Sequence, residues 1–561
     1  MKNILIAQLL YKIADLLEIQ DVDFKPGAYR RAAMNIESLE QPIEELAKNN
    51  KLQEIPGVGE GISKKIKEIL ATGTCKEYEK LKKQTPVKFE ELTKVEGLGP
   101  GKIRQLYKKI HITSLKDLEQ AINHHRIRQL KGFGIKTEQN LKQALIFTKS
   151  QSKFLLSDAF LIAQDIKQYL ERKAQKVEIA GSLRRFKETI GDIDILTLGE
   201  PALIDYFTQY KDVKKILVKG PTKSTIVLNN NMQADIRLIP KQSWGAALNY
   251  FTGSKEHNIA LRIMALKKGY KLNEYGLFRK NKFIAGRTEQ ELYKRLGLRY
   301  IQPELRENLG ELEASRNNQL PKLVELKDIK TDLHVHTKYS DGTSSIQEMV
   351  DEARRLKYHS IAIADHFGSL KIAGSMDRKS IQKQWREIDS LNKSLNNFKI
   401  FKGAEVNIKL DGSLDIDNST LKELDIVIAS IHSGLKNNPT QRIIRAMENT
   451  HVNIIAHPSG RLLNKREGSV LHYEKLFRKA KATSTILEIN STPDRLDLDG
   501  INTMHAIGKN CRIAVNTDAH SASSLHFIIF GVGVARRGWC SKQAVINTFN
   551  LKKLEKILGK K

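Results

Sequence analysis

Three groups of residues in this 561-residue chain have types and spacing that could do chemistry. In the first, Gly181-Ser182-Leu183-Arg184-Arg185 is followed by Gly191-Asp192-Ile193-Asp194. Asp192 and Asp194 stand at i and i+2 on a predicted strand, so both carboxylates point to one face. Like charges so close repel unless cations lie between them, and two divalent metals about 4 Å apart suit in-line phosphoryl transfer. Gly181 and Ser182 offer N–H and hydroxyl donors to a polyphosphate, and Arg185 adds charge. A third acid on a neighbouring strand would complete the site, and Asp235 is placed for it in Ala234-Asp235-Ile236-Arg237. Alone, Asp-x-Asp reads as the solvated end of a strand; the Gly-Ser upstream sets this pair apart.

The second group is rich in histidine. His334 and His336 alternate on a predicted strand and share a face, and the spacing recurs at Asp518-Ala519-His520. Between them Asp365-His366, Glu405, His432 and His457 each follow a short apolar run. Ligands at the C-terminal ends of successive strands converge in an α/β barrel. Imidazole with carboxylate suits zinc, manganese or iron. A lone histidine on an apolar face is more often structural, but repetition after one strand after another is not explained that way. His124, His125 and His359 lack this context and read as surface residues.

The third group is a weak internal repeat: Ile55-Pro56-Gly57-Val58-Gly59, Val95-Glu96-Gly97-Leu98-Gly99 and Leu130-Lys131-Gly132-Phe133-Gly134. A Gly-x-Gly turn leading into a helix exposes N–H groups that can face a phosphate, and glycine permits close approach. One copy would read as a tight turn. Three copies in a basic chain point to helix-hairpin-helix elements that touch the DNA backbone through Gly57, Gly59, Gly97, Gly99, Gly132 and Gly134 without reading bases.

The elements that must position these groups follow from the apolar pattern. Residues 1–150 show a period near 3.6, as in Ile62, Ile66, Ile69 and Leu70, and predict a helical region divided at about residue 80. Strand-like runs such as Val177–Ala180, Ile193–Leu196 and Thr225–Leu228 mark 151–242 as a mixed domain. Residues 243–317 mix helix and short strands, and 318–328 form a polar stretch suited to a linker. From 329 to 561 apolar strands alternate with helices, the signature of a parallel α/β barrel or sheet. The formal net charge of +30 asks for a polyanion, with nucleic acid ahead of an anionic membrane surface. No apolar run reaches transmembrane length, and Ile4–Leu10 reads as part of an amphipathic helix, not a leader. Cys75, Cys511 and Cys540 are scattered, so a reducing cytoplasm is expected.

The palm motifs resemble the family X DNA polymerases. The resemblance rests on Gly181–Arg185, Gly191–Asp194, Asp235–Pro240, Tyr250-Phe251-Thr252-Gly253-Ser254, Asn258, Arg262, Gly269–Glu274 and Thr288–Tyr293, and spans residues 1–317. It implies Mg²⁺ or Mn²⁺ held by Asp192, Asp194 and Asp235, and a triphosphate gripped by Gly181, Ser182 and Arg185. Tyr250, Phe251 and Gly253 would pack the sugar, Asn258 would probe the incoming base and Arg262 the template side. One departure bears on how firmly Asp235 is oriented: Gln233 stands where many members carry arginine. Lyase-active members form a Schiff base through a lysine after the first hairpin, and Lys65 falls there. Lys64 and Lys67 beside it would lower its pKa.

The histidine motifs resemble the PHP (polymerase and histidinol phosphatase) superfamily, a distorted seven-stranded barrel with a three-metal cluster. The resemblance implies that His334, His336, Asp341, His366, Glu405, His432, His457, Asp518 and His520 hold Mn²⁺, Zn²⁺ or Fe²⁺, and that the intact set hydrolyses phosphoesters.

The expected fold is therefore multidomain: helical helix-hairpin-helix domains at 1–80 and 81–150, an α+β nucleotidyltransferase palm at 151–242 with a nucleotide-selection (thumb) subdomain at 243–317, and a PHP-type α/β barrel at 329–561. The expected function is template-directed filling of short gaps in base excision repair, in a bacterial cytoplasm and at the nucleoid. The barrel would add 3′–5′ exonuclease, 3′-phosphatase or abasic endonuclease activity. The expected partners are gapped or nicked double-stranded DNA and deoxynucleoside triphosphates, with no membrane and a monomeric chain. The alternative is a template-independent nucleotidyltransferase with a small phosphate-ester hydrolase domain, against which the Asn258 and Arg262 pair argues.

Overall fold

The computed structural model describes residues 2–559 apart from 38, 40, 41, 94, 96, 151, 152 and 370–373. The chain forms two compact units, residues 1–152 and 153–561.

The first unit is helical around its own apolar core, in which Leu10, Ile13, Ile36, Ile66, Leu106 and Leu118 are buried. The three glycine repeats are one structural device used three times. Gly57, Gly97 and Gly132 have φ of 84°, 81° and 91°, a region closed to most side chains. The second glycine of the first two pairs is extended and caps the helix that follows, Glu60–Thr72 and Pro100–Ile110. The third pair precedes the helix Ile135–Ser150. A methyl group on Gly59, Gly97, Gly99, Gly132 or Gly134 would meet nothing within 4 Å, so the surface of these turns is open on the side where a side chain would stand.

The second unit begins with a five-stranded sheet in the order Lys176–Ile179, Asp192–Leu198, Gln233–Leu238, Lys223–Leu228, Val213–Lys219. The second and third strands run parallel, with Asp194 opposite Asp235 and Ile195 opposite Ile236. Alternation then sends Ile193, Ile195, Ala234 and Ile236 into the core while the aspartates stay on the other face. Residues 243–317 add the helices Trp244–Thr252 and Lys255–Lys267, an antiparallel three-stranded sheet and the helix Glu289–Arg295.

Among the described residues seven parallel strands follow in sequence order from Thr331–Val335 to Ile513–Asn516, the short strand His366–Phe367 pairs in parallel beside Lys399–Asn407, and a parallel bridge between Val335 and Ala519 joins the two ends. The strands are apolar on both faces because each face meets a different core. Ile426, Ile428, Ile454, Ala456 and Ala514 pack with the C-terminal helix Leu551–Leu558. Val427, Ala429, Ile455 and Val515 join the core that also holds Leu156, Ile166 and Ile193 of the palm. The barrel and the palm thus share one hydrophobic interior. Residues 318–328, expected as a linker, are a fastened strap: Leu323 and Val324 are buried, the Val324 N–H donates to the Cys540 carbonyl at 2.9 Å, and Asp328 pairs with Lys542 at 3.3 Å. Apolar Leu323 and Val324 inside a polar run are what tie it down.

A buried ion cluster locks residues 243–317 to the palm. Arg306, fully buried, donates to Glu289 at 2.6 Å and to the Ile301 carbonyl, and its guanidinium lies over Tyr293 and Tyr300. Arg184 of the Gly181–Arg184 turn makes a bidentate pair with the same Glu289 at 2.9 and 2.7 Å. Burial alone would raise the Glu289 pKa, but Arg306 and Arg184 outweigh it and bring it to about 2. Replacing Glu289 with alanine would leave the buried Arg306 and the partly buried Arg184 without their shared counter-charge. We expect Glu289→Ala to cost about 3–5 kcal/mol in chemical denaturation. The Glu289 contribution should be complete above the ordinary glutamate pKa and fade as pH falls towards 2, because the depressed group must be protonated for the pairing to be lost.

Candidate active sites

The palm site is assembled by register. Asp192, Asp194 and Asp235 bring carboxylate oxygens within 4.8 Å of one another. Burial, reinforced by Asp192 and Asp235, pushes Asp194 up to about 7, and burial with Asp235 raises Asp192. Burial does most of this and the neighbouring carboxylates add to it, the arrangement a divalent cation between them would relieve. Asp235 is nonetheless oriented: the Thr225 hydroxyl donates to Oδ1 from the neighbouring strand, and Gln233 Nε2 donates to Oδ2 at 3.2 Å. A neutral amide thus does the orienting at the position where many family members place arginine.

Gly181, at φ 63°, turns so tightly beneath Asp194 that a methyl group there would collide with the carboxylate. Ser182 follows in the same turn, and Arg185 ends it with Nε on Glu307 at 3.0 Å and Nη1 on the Thr252 carbonyl. Gly253 (φ 71°) lies against the Arg185 guanidinium. Tyr250 is exposed, and Phe251 stacks on Arg237 at 4.5 Å. Asn258 donates to the Tyr250 carbonyl at 2.7 Å, and Arg262 lies one turn further along the same helix. All the palm residues singled out from the sequence therefore lie in one unit, on the sheet, the Gly181–Arg184 turn between its first two strands, and the two following helices with the Gly253 joint between them.

The barrel site gathers nine side chains at strand ends. Donor atoms of His336, Asp341, His366 and His520 lie within 4.8 Å of one another, as do those of His334, His336 and Glu405, and those of His366, Glu405 and His432. His336, His366 and Glu405 are shared, so the groups form one cluster. Asp518 joins it 3.0 Å from His336, and His457 joins it 3.1 Å from Glu405. Burial would lower the His520 imidazolium, but Asp341 and Asp518 outweigh it and lift its pKa to about 9. His334 is likewise raised, against burial, by Glu488, Asp518 and Glu405. The donor set fits divalent cations on two counts. Imidazole and carboxylate are the right ligands. The buried Nδ1 atoms of His336 and His457 have no hydrogen-bond partner among the described residues, a costly state for a polar atom that no metal takes up. His457 and Asp518 also hold left-handed backbone, at φ 27° and 53°, and non-glycine residues forced there cluster at functional sites.

Lys65 departs from expectation. Lys64 pairs with Glu60 at 2.7 Å and Lys67 donates to Asn50 at 2.9 Å, so both ammonium groups are engaged with partners of their own. Lys65 instead stands 2.7 Å from Glu77 and 5.9 Å from the Tyr29 ring centre. Burial lowers its pKa, but Glu77 and Tyr29 outweigh this and the net shift is upward, opposite to the expected direction. The carboxylate comes from the next helix, Lys76–Gln84, and was not visible from the local lysine run.

Four family models match the chain: a helix-hairpin-helix domain at residues 1–75, a SAM-like helix-hairpin-helix tandem at 89–145, a DNA polymerase beta thumb at 247–307 and a PHP domain at 332–491. The chain is 36% identical, over 99% of its own length and 98% of the relative's, to the DNA polymerase/3′-5′ exonuclease PolX of Bacillus subtilis. It belongs to the family X DNA polymerases that carry a PHP domain. It is also 25% identical to DNA polymerase lambda of Rattus norvegicus over 54% of this chain and 56% of that one. A probable phosphatase of Syntrophotalea carbinolica is 29% identical over 35% of this chain and 82% of its own length. Each half of this family X polymerase thus has relatives of its own, and the two domain types together imply use of divalent metal.

Residues outside the motifs hold the ligands in place. Glu488 is fully buried, accepts from His334 Nδ1 at 2.8 Å and from the His457 N–H at 2.9 Å, and is itself held by Asn516 at 2.9 Å. It sits inside Ile486-Leu487-Glu488-Ile489-Asn490, and an acid within an apolar strand was the available signal. Because it fixes which nitrogen of His334 faces the cluster, we expect Glu488→Ala to weaken metal binding about 10–100-fold in a metal titration. Glu488→Gln, which can still accept that hydrogen bond, should lose less.

Proposed function

We propose that this chain fills short gaps in double-stranded DNA during base excision repair and trims or cleans DNA ends with its barrel, acting as a monomer. The observation that carries the reading is the coexistence of the three-aspartate cluster and the nine-ligand cluster, each with the side chains that orient it. At the palm we assign Mg²⁺ or Mn²⁺ to Asp192, Asp194 and Asp235, and in the barrel Mn²⁺, Zn²⁺ or Fe²⁺ to His334, His336, Asp341, His366, Glu405, His432, His457, Asp518 and His520. Bound divalent cations supply Lewis-acid charge to a primer 3′ oxygen and the triphosphate at the first site, and to a scissile phosphoester at the second.

The protein groups then have distinct tasks. Gly181, Ser182 and Arg185 bind the triphosphate; Thr225 and Gln233 keep Asp235 pointed at the reacting end of the primer. Tyr250, Phe251 and Gly253 pack against the sugar of the incoming nucleotide, Asn258 faces its base, and Arg262 faces the template. The first-unit turns at Gly57, Gly59, Gly97, Gly99, Gly132 and Gly134 present N–H groups to DNA phosphates. Lys65, held as an ammonium by Glu77, serves as a cation for the DNA backbone in this reading, and a Schiff-base role is disfavoured. Among the described residues no helix is long and apolar enough to cross a membrane.

Asp192→Ala or Asp235→Ala should lower incorporation at a one-nucleotide gap by about a thousandfold or more, the scale of losing electrostatic stabilisation at the reacting centre. DNA affinity and end hydrolysis should persist. His334→Ala or His432→Ala should do the reverse. Near-normal incorporation by the aspartate variants, or undiminished end digestion by the histidine variants, would remove the assignment of that site. Affinity for gapped duplex should fall steeply and linearly on a log–log plot against salt, and should be nearly indifferent to sequence, because phosphates and not bases are contacted. A flat salt response would count against it.

A further inference from the structure

The palm turn that carries Arg185 is braced by the barrel domain. The helix Ile528–Arg537, which follows the last barrel strand, meets it directly through Arg537 and Gly533 and indirectly through Phe530. Arg537 Nη1 donates to the Arg185 carbonyl at 2.9 Å and to Glu307 Oε1 at 2.9 Å. Arg185 Nε donates to that same Oε1 at 3.0 Å. Gly533 lies flat against Phe186, where any side chain would strike the ring. Phe160 of the palm bridges Phe186 and Phe530, with ring centres 6.0 and 5.8 Å away.

The charge arrangement explains why two arginines share one carboxylate. An Arg185–Glu307 pair alone would be neutral and would compete with an incoming phosphate for the guanidinium. With Arg537 on the same oxygen, the trio keeps a net positive charge, and Lys187, 3.7 Å from Glu307, adds to it. Glu307 and the Thr252 carbonyl take Arg185 Nε and Nη1, leaving Nη2 without a hydrogen bond among the described residues. A flexible arginine loses rotamer entropy when it binds, and one held beforehand loses less.

We propose that Arg537, contributed by the PHP domain, is a positioning residue for nucleotide binding at the polymerase site, holding Arg185 through Glu307 and the Arg185 carbonyl. This rests on the reading that Arg185 grips the triphosphate. The polymerase site is then completed by the domain that carries the other activity.

Steady-state gap filling by the full chain tests this with four proteins beside the parent: Arg185→Ala, Arg537→Ala, Arg537→Lys and the double alanine variant. Arg537→Ala should raise the nucleotide KM about tenfold, the scale of one lost charge-assisted contact, with kcat changed less than about twofold. DNA-end hydrolysis and thermal melting of Arg537→Lys should match the parent, while its KM should lie between those of the parent and the alanine variant. In the double variant Arg537→Ala should add nothing to the KM of Arg185→Ala, since the brace has nothing left to hold. If Arg185→Ala raises KM while neither Arg537 variant does, or if the two effects multiply, the positioning role is wrong and the triphosphate reading survives. If Arg185→Ala itself leaves KM unchanged, the triphosphate reading fails and takes this inference with it. Should Arg537→Ala not fold, Arg537→Lys decides alone: a raised KM supports the role and an unchanged one overturns it.

Discussion

Five imidazoles crowd around one buried carboxylate. Glu405 lies 3.0–3.6 Å from His366, His457, His432, His334 and His336, and little about the C-terminal domain makes sense apart from that congestion. A charge so deeply buried is tolerable only if it is paired and hydrogen-bonded. The histidines reach it from the ends of four strands, His334 and His336 from one of them, and parallel strands in sequence order, closed upon themselves, bring those ends together. Closure in turn requires apolar residues on both faces of each strand, which is why this half of the chain reads as repeated short apolar runs. Glu488 and the buried asparagines around it extend the same demand one layer outward. The palm answers a related problem with less machinery, because two strands and one register bring its three acids together.

Much of this was legible in the residues. The Asp-x-Asp pair, the Gly-Ser turn and the recurrent histidines after apolar runs each carry a local spacing that has few chemical uses, and the structure places these residues in two clusters. The three glycine pairs were legible as turns because positive φ leaves a compositional mark. What stayed hidden was what depends on distant partners. Nothing near Lys65 announces Glu77, nothing near Gln233 announces that Thr225 shares its task, and nothing near Arg185 announces Arg537, 352 positions away. The strap at 318–328 misled for the complementary reason: two buried apolar residues in a polar run leave almost no periodic signal.

The two halves of the second unit are more intimate than a tandem arrangement requires. They share a hydrophobic core, and Arg461 of the barrel domain pairs with Glu188 of the palm at 3.1 Å, as Arg536 pairs with Glu304 at 2.7 Å. Contacts of this kind make the relative placement of the two clusters a property of the fold and not of a tether. The first unit, by contrast, has a core of its own.

The parallel pairing that sets Asp194 opposite Asp235 has a consequence for how this sequence can change over time. The strand bearing Asp235 is reached through the short turn between Leu228 and Gln233, in which Asn231 has a φ of 68°. Side chains alternate along a strand, so a slip of one residue in this pairing would swing Asp235 to the apolar face and bring Ala234 or Ile236 to the acidic one. A residue gained or lost in the turn is absorbed there while the buried Ile193, Ile195, Ala234 and Ile236 hold the register, whereas one gained or lost inside the strand inverts the site in one step. The strand's length should therefore be inherited far more strictly than the turn's.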